Sequence, residues 1–167
     1  ETLVVTIPAV IEIKREGIIV LTNSLNSDVD ELIDEIRKYN KSAPVFRAGQ
    51  SISSIIMPAG EQHPKGWLSG KKAFAFCAIG GPDSFRESLR ANGVQMTGFL
   101  VFRDHYKYGQ ADIDRIEKKA LKSGADWIIT TEKDIMKLEK LKLPGTLVFS
   151  RSESEVEGAF FNEVFKI

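Results

Sequence analysis

The sequence has little of several features that would assign it to a common class. Its 167 residues include one cysteine and two histidines, and 23 basic residues balance 23 acidic ones. The single cysteine, Cys77, allows no disulfide within the chain, and the two distant histidines add no metal-ligand spacing. Balanced charge provides no overall field for nucleic acid, so we expect no nucleic-acid partner and only a local site for any anion.

Long apolar runs and nucleotide motifs are missing too. No apolar segment approaches the roughly 20 residues that cross a bilayer, so membrane attachment would have to be peripheral. The sequence contains no glycine-rich phosphate loop ending in lysine and serine or threonine, no dinucleotide fingerprint and no serine-nucleophile elbow. The chain opens at Glu1 and almost at once enters the strand-like segment 3–7. We interpret it as a soluble piece of a longer polypeptide.

What the sequence does contain is an alternation of apolar runs and amphipathic helices. With 43% hydrophobic and 28% charged residues it has the composition of a globular protein with a sizeable core. The predicted strands are 17–22, 44–48, 52–57, 73–79, 94–102, 127–130 and 146–149. Helices are predicted around 28–36, 82–92, 110–123 and 159–165, with a further one beginning at Thr131. This order predicts a three-layer α/β/α sandwich with a mostly parallel sheet, Rossmann-like without a dinucleotide fingerprint.

The predicted organisation has two lobes. Residues 1–57 form a partial N-terminal lobe with a βα unit and short strands. Residues 58–72, rich in glycine, proline and lysine, form a connection, and residues 73–167 form a C-terminal α/β lobe.

Three polar turns of the second lobe each follow a predicted strand. They are 80–83, 103–108 and 130–137, and parallel strands would bring all three to one sheet edge. Gly80 and Gly81 serve a tight turn or present free amides of a helix N-terminus to an anion. The His105 side chain suits general base work near neutrality. Its neighbour Asp104 need not orient it, because adjacent side chains diverge in an extended segment.

The third turn reads as the start of a helix. Thr131 is an N-cap in this interpretation. Lys133 and Lys137 lie four residues apart on one helix face, which is either solvated or able to clamp phosphates.

The second lobe resembles the tetraacyldisaccharide 4'-kinases, the lipid A 4'-kinases of Gram-negative bacteria. The resemblance includes Phe-Arg-Asp-His-Tyr at 102–106 and Thr-Thr-Glu-Lys-Asp at 130–134. The matching segments, in order, are 76–85, 89–94, 102–106, 110–113 and 130–138. Residues 17–23 also resemble the strand that closes the family's N-terminal kinase lobe. Arg103 stands where the family often has proline.

The resemblance implies a function. Family members use ATP and magnesium to phosphorylate the 4'-hydroxyl of a lipid A disaccharide precursor, in lipopolysaccharide biosynthesis, at the cytoplasmic face of the inner membrane. His105 matches the histidine thought to help deprotonate that hydroxyl, together with an aspartate from the N-terminal lobe, and Asp104 matches the acid beside it. The remaining candidate substrate-binding residues are Gly80, Gly81, Asp83, Arg103, Tyr106, Thr131 and Lys133.

The family's phosphate loop, magnesium-binding acids and membrane-inserting helix have no counterpart in the sequence. We therefore expect no bound metal, ATP or magnesium in this chain alone. The resemblance implies a C-terminal portion that is catalytically silent without the missing N-terminal kinase half. The alternative is a non-catalytic α/β ligand-binding or scaffold domain derived from that family.

Overall fold

The structure, a computed structural model, describes residues 2–5, 17–22, 24 and 28–165. The predicted strand-like segment 3–7 is therefore described only as far as residue 5. In chain order the strands and helices are β1 Thr2–Val5, β2 Ile18–Leu21, α1 Asp30–Tyr39, β3 Val45–Ile56, β4 Gln62–Pro64, β5 Lys72–Cys77, α2 Pro82–Ala91, β6 Gln95–Val101, α3 Gln110–Lys122, β7 Trp127–Thr131, α4 Glu132–Ile135, β8 Leu147–Val156 and α5 Phe160–Phe165. Short 3-10 turns lie at Lys65–Leu68 and Met136–Leu138.

The chain forms two compact units, Glu1–Ser51 with Ser154–Ile167, and Ile52–Glu153. In the first unit, β2 pairs in parallel with both β1 and β3. Helix α1 begins with acidic residues and ends with basic ones, which suits its dipole. It buries Ile36 in a cluster with apolar residues of β2 and the following segments.

The second unit contains β6, β5, β7 and most of β8 side by side, each parallel to its neighbour. Alternate side chains of a strand point to opposite faces of the sheet. Accordingly, Ala73, Ala75 and Cys77 of β5 cluster with Phe85 and Leu89 of α2. Facing the other way, Phe74, Phe76 and Ala78 cluster with α3 residues Ile113, Ile116 and Ala120. Helices thus cover both faces of the sheet, and the predicted three-layer α/β/α fold with a mostly parallel sheet is confirmed.

Two strand predictions were wrong in extent. Residues 44–48 and 52–57, predicted as separate strands, form the single strand β3, which runs through the polar stretch 49–51. The strand predicted at 146–149 continues to Val156. Its outer half is polar and exposed, so apolar patterning could not reveal it. Side-chain contacts accompany these extensions, with Gln50 donating to Ser154 Oγ at 2.9 Å and Ser53 donating to the Arg151 carbonyl at 3.3 Å.

Residues 58–72 hold more structure than a bare connection. They contain β4, which pairs antiparallel with residues 54–56 of β3, and the 3-10 turn Lys65–Leu68. Both lie inside the second compact unit. The division into lobes at 1–57, 58–72 and 73–167 stays a prediction.

Gly98 of β6 provides a test of the packing between β5 and β6. A Cβ atom on Gly98 would lie 2.5 Å from Cε2 of Phe74, its partner across the β5–β6 pair. Phe74 is buried and cannot move aside without displacing the core. We expect Gly98→Ala to lower the free energy of unfolding by about 1–3 kcal/mol in urea denaturation. Gly145→Ala is the matched control, because a Cβ there meets nothing within 4 Å; equal losses in both variants would contradict this packing.

Candidate functional site

Three turns of the second unit lie at one edge of the sheet. Strand β5 is parallel to its neighbours β6 and β7, so the chain leaves all three strands at the same side. Residues 78–81 follow β5, residues 102–109 follow β6, and α4 follows β7 directly. In α/β sheets this carboxyl edge is where ligand sites form.

Asp104 connects the first two turns. A Cβ atom on Gly80 would lie 3.6 Å from Asp104 Oδ2, an ordinary van der Waals distance, so the glycine turn and the carboxylate are neighbours in space. The other carboxylate oxygen accepts a hydrogen bond from the His105 backbone amide at 2.9 Å. His105 Nε2 lies 3.7 Å from Asp104 Oδ2. Gly80, Asp104 and His105 therefore form one contiguous group.

The His105 backbone explains how neighbouring side chains come together. Its φ angle is 57°, in the left-handed region that non-glycine residues seldom adopt. We expected the side chains of Asp104 and His105 to diverge because we assumed an extended backbone. The backbone turns at His105 instead, and the two side chains approach each other. The imidazole remains 80% exposed, so its ring is open to a ligand while one edge faces the Asp104 carboxylate. Uncommon backbone conformations of this kind concentrate at functional sites.

Aromatic packing anchors the loop that carries His105. The rings of Phe102 and Tyr106 lie 4.7 Å apart, and Tyr108 packs edge-on against both of them. The Tyr106 hydroxyl lies 3.2 Å from Asp112 Oδ2, which also accepts a hydrogen bond from the Gly109 amide at 3.0 Å. Tyr106 therefore ties the loop to the first turn of α3, and the polar stretch around His105 has a fixed base.

The third turn contains a buried ion pair that the sequence did not reveal as a site. Asp134, fully buried, accepts hydrogen bonds at 2.9 Å from the Ala78 amide and from the Thr131 hydroxyl. Lys137 Nζ lies 2.8 Å from Asp134 Oδ1 and also donates to the Ala78 carbonyl at 3.1 Å. Ala78 directly follows β5. Its amide is thus bound by the Asp134 carboxylate and its carbonyl by the Lys137 ammonium group.

The local sequence explains this geometry. Thr131 is the N-cap of α4 and accepts a hydrogen bond from the Asp134 amide at 3.1 Å, as predicted for that residue. Helix α4 ends at Ile135 and a 3-10 turn follows, so Lys133 and Lys137 do not lie on one regular helix face. Lys133 is exposed, whereas Lys137 reaches inward to Asp134. A phosphate clamp formed by both lysines stays a prediction, and it would require Lys137 to leave Asp134.

The other candidate residues lie on the surface of these turns. Gly80, Gly81 and Arg103 are exposed, and Gly81 is the N-cap of α2. Asp83 is exposed and pairs with Arg86 at 2.8 Å within the same helix. The structure thus brings Gly80, Asp104 and His105 together and places Thr131 at the same edge, whereas Asp83 pairs within α2 and Tyr106 contacts the first turn of α3.

Two buried groups near Asp134 show the electrostatics of this edge. Burial, reinforced by the Asp134 carboxylate, raises the pKa of Tyr108 above its ordinary range. Among the residues that the structure describes, the buried Tyr108 hydroxyl has no hydrogen-bond partner of good geometry, so its interaction with Asp134 is one of charge and proximity. The same two causes raise the pKa of Cys77 to about 12. Both side chains are therefore neutral at physiological pH.

Cys77 is accordingly expected to be inert in the folded chain. Raising a thiol pKa from 9.0 to about 12 leaves about a thousandfold fewer thiolates at pH 8. Disulfide reagents should label the native chain very slowly and the urea-unfolded chain at the normal rate. The pKa of the Cys77 thiol is higher in the folded chain than in the unfolded chain. The contribution of this difference to the free energy of unfolding is therefore fully present below about pH 9 and is lost as the pH rises towards 12. Rapid labelling of native chain would contradict a buried Cys77.

A magnesium site is not formed by the residues described. Within those residues, no group of three or more histidine, cysteine, aspartate or glutamate side chains could hold a metal ion. Asp134 already has three partners, and Asp104 adjoins His105. Nor does any helix in the described part of the chain have the length and apolar character of a membrane span.

Comparison with known proteins defines the class. The model of the family described as "Tetraacyldisaccharide-1-P 4'-kinase" matches residues 9–166. A tetraacyldisaccharide 4'-kinase of Syntrophus aciditrophicus is 38% identical over 108 residues, 62% of this chain and 29% of the relative. One of Bdellovibrio bacteriovorus is 32% identical over 141 residues, 84% of this chain and 42% of the relative.

A solved structure is also similar. It is the crystal structure of the "apo" form of LpxK from Aquifex aeolicus in complex with ATP. The match covers 90% of this chain and 52% of the LpxK chain. Its TM-score is 0.47 and its sequence identity is 18%.

The fold and the family match place the chain among α/β proteins of a kinase family. It belongs to the tetraacyldisaccharide 4'-kinase family. It spans about a third of the length of the curated relatives it matches, from 29% to 42% in the examples given.

Proposed function

We propose that this chain is the C-terminal part of a lipid A 4'-kinase. The intact enzyme transfers the γ-phosphoryl group of ATP to the 4'-hydroxyl of a lipid A disaccharide precursor. Family membership and the partial coverage of the relatives support this proposal. The observation that carries it is the pair of Asp104 and exposed His105 at the carboxyl edge of the sheet, 3.7 Å apart.

In this proposal His105 acts on the acceptor hydroxyl. The imidazole takes the 4'-hydroxyl proton as the oxygen bonds to the γ-phosphorus, the bond to the β-phosphate oxygen breaks, and ADP leaves. The Asp104 carboxylate then stabilises the imidazolium that forms. General base assistance of this kind contributes about 10²- to 10⁴-fold in rate, and positioning and electrostatics supply most of the rest.

The surrounding turns would contact the sugar and its phosphate. We assign substrate contact to the exposed Gly80, Gly81, Arg103 and Lys133, since backbone amides and cations suit anionic and hydroxyl groups. Asp83, Tyr106 and Thr131, also predicted as contacts, already bind Arg86, Asp112 and Asp134. Their proposed contribution is to fix the shape of the site.

ATP and magnesium would bind in the kinase half that lies outside this chain. The sequence has no phosphate loop, and the described residues form no metal site. The proposed location of the intact enzyme is the cytoplasmic face of the inner membrane, where its lipid substrate is held. Alone, the chain is proposed to be soluble and inactive.

A two-part experiment tests this. The full-length kinase should transfer labelled phosphate from ATP to the tetraacylated disaccharide, whereas the purified chain should not. Calorimetry should detect no useful affinity of the chain for magnesium-ATP, because it lacks the backbone cradle and lysine that hold the β- and γ-phosphates. A micromolar dissociation constant would show that the nucleotide site was assigned to the wrong half. An inactive full-length protein would favour the non-catalytic scaffold domain.

A further inference from the structure

The buried pair of Asp134 and Lys137 is joined to the His105 loop through the end of β5. Asp134 accepts from the Ala78 amide, and Lys137 donates to the Ala78 carbonyl. Ala78 is fully buried, so loss of this pair would remove a hydrogen-bond partner from each of its two backbone groups. The pair therefore continues the hydrogen bonding of the sheet one residue past β5.

The next contacts lead to the histidine. Gly80, two residues after Ala78, lies beside Asp104, and a Cβ atom added to it would be 3.6 Å from Oδ2, an ordinary van der Waals distance. Asp104 in turn binds the His105 amide and faces its ring. Cys77, the last residue of β5, contacts the same loop. Its carbonyl accepts a hydrogen bond from the Phe102 amide at 2.8 Å. We therefore expect a displacement of Ala78 to displace the Asp104 carboxylate as well.

We propose that Asp134 and Lys137 are positioning residues that set the place of the Gly80 turn and, through Asp104, the orientation of the His105 imidazole. An ion pair serves this purpose because it holds the amide and the carbonyl of one residue from two directions. The third group in contact with Asp134, the Thr131 hydroxyl, fixes the carboxylate at the start of α4. The positioning of His105 is a property of this chain alone. Only the expected effect on kcat rests on the proposed function.

The test uses the fact that the chain has only two histidines, His63 and His105. The double variant Asp134→Asn with Lys137→Met removes both charges together, so neither charge is left buried without its partner. Imidazole proton resonances of the folded variant are recorded by NMR. We expect the His105 signals to shift beyond the spread among preparations of the parent chain while the His63 signals stay in place. Lys133→Met, which removes an exposed ammonium group from α4 beside Asp134, should move neither set.

Unchanged His105 signals in the folded double variant would overturn the inference, as would equal shifts of both histidines. The single variant Lys137→Met provides a second route if the double variant fails to fold. In the full-length kinase, loss of the pair should lower kcat about 10- to 100-fold and leave KM for ATP nearly unchanged, as misplacement of a catalytic group does. Shifted His105 signals with unchanged kcat would uphold the positioning and overturn the proposed catalytic use of His105.

Discussion

Replacing Asp134 with alanine is expected to lower the free energy of unfolding by about 3 kcal/mol, measured by urea denaturation. The variant leaves the buried Ala78 amide and the Thr131 hydroxyl without their acceptor. It also leaves the Lys137 ammonium group without its counter-charge. Because the Lys137 side chain is 23% exposed, it can partly rehydrate, which places the loss at the lower end of the range for broken buried pairs.

Asp83→Ala is the matched control for this experiment. Asp83 also pairs with a basic residue three positions later, at the same 2.8 Å, but its side chain is 76% exposed. Exposed pairs contribute less than about 1 kcal/mol, so this variant should differ little from the parent. If the two aspartate variants lost equal stability, the buried pair would not hold the end of β5.

The parallel core could be predicted from sequence because its signals are local. Continuous apolar runs such as 73–79 are typical of strands covered on both faces, and Pro82 begins α2 as expected of a first-turn proline. The polar half of β8 could not be predicted in this way. Its side chains are exposed, and its place in the sheet follows from backbone pairing with a distant segment.

The position of the three turns could be predicted from the sequence, whereas the contacts between them could not. That three turns share an edge follows from strand direction, and the structure has them there. Asp134 was recognised only as part of a helix start, because its main partner, Ala78, is 56 residues away. An acid three residues after the end of a buried strand was the signal available for it. The His105 backbone angle has no sequence signature in a non-glycine residue, so its approach to Asp104 could not be foreseen.

The largest expected effect on activity is that of His105→Ala in the full-length kinase. If His105 acts on the acceptor hydroxyl, its contribution arises in the transition state, and kcat should fall about 10²- to 10⁴-fold. The KM for ATP should change far less, because the proposed nucleotide site lies in the other half of the enzyme. Steady-state kinetics with the disaccharide acceptor measures both quantities. Folding should be little affected, since the imidazole is 80% exposed.

Two further variants distinguish a catalytic histidine from a loop residue. Asp104→Asn keeps the shape of the side chain but removes the charge that faces the imidazole, so its kcat should fall less than that of His105→Ala. Cys77→Ser changes a buried β5 side chain that points towards α2, and it should alter stability rather than turnover. This ranking follows from direct contact of His105 with the reacting hydroxyl. A near-normal kcat for His105→Ala would instead make His105 a structural residue of its loop, and the general base would have to lie in the other half of the enzyme.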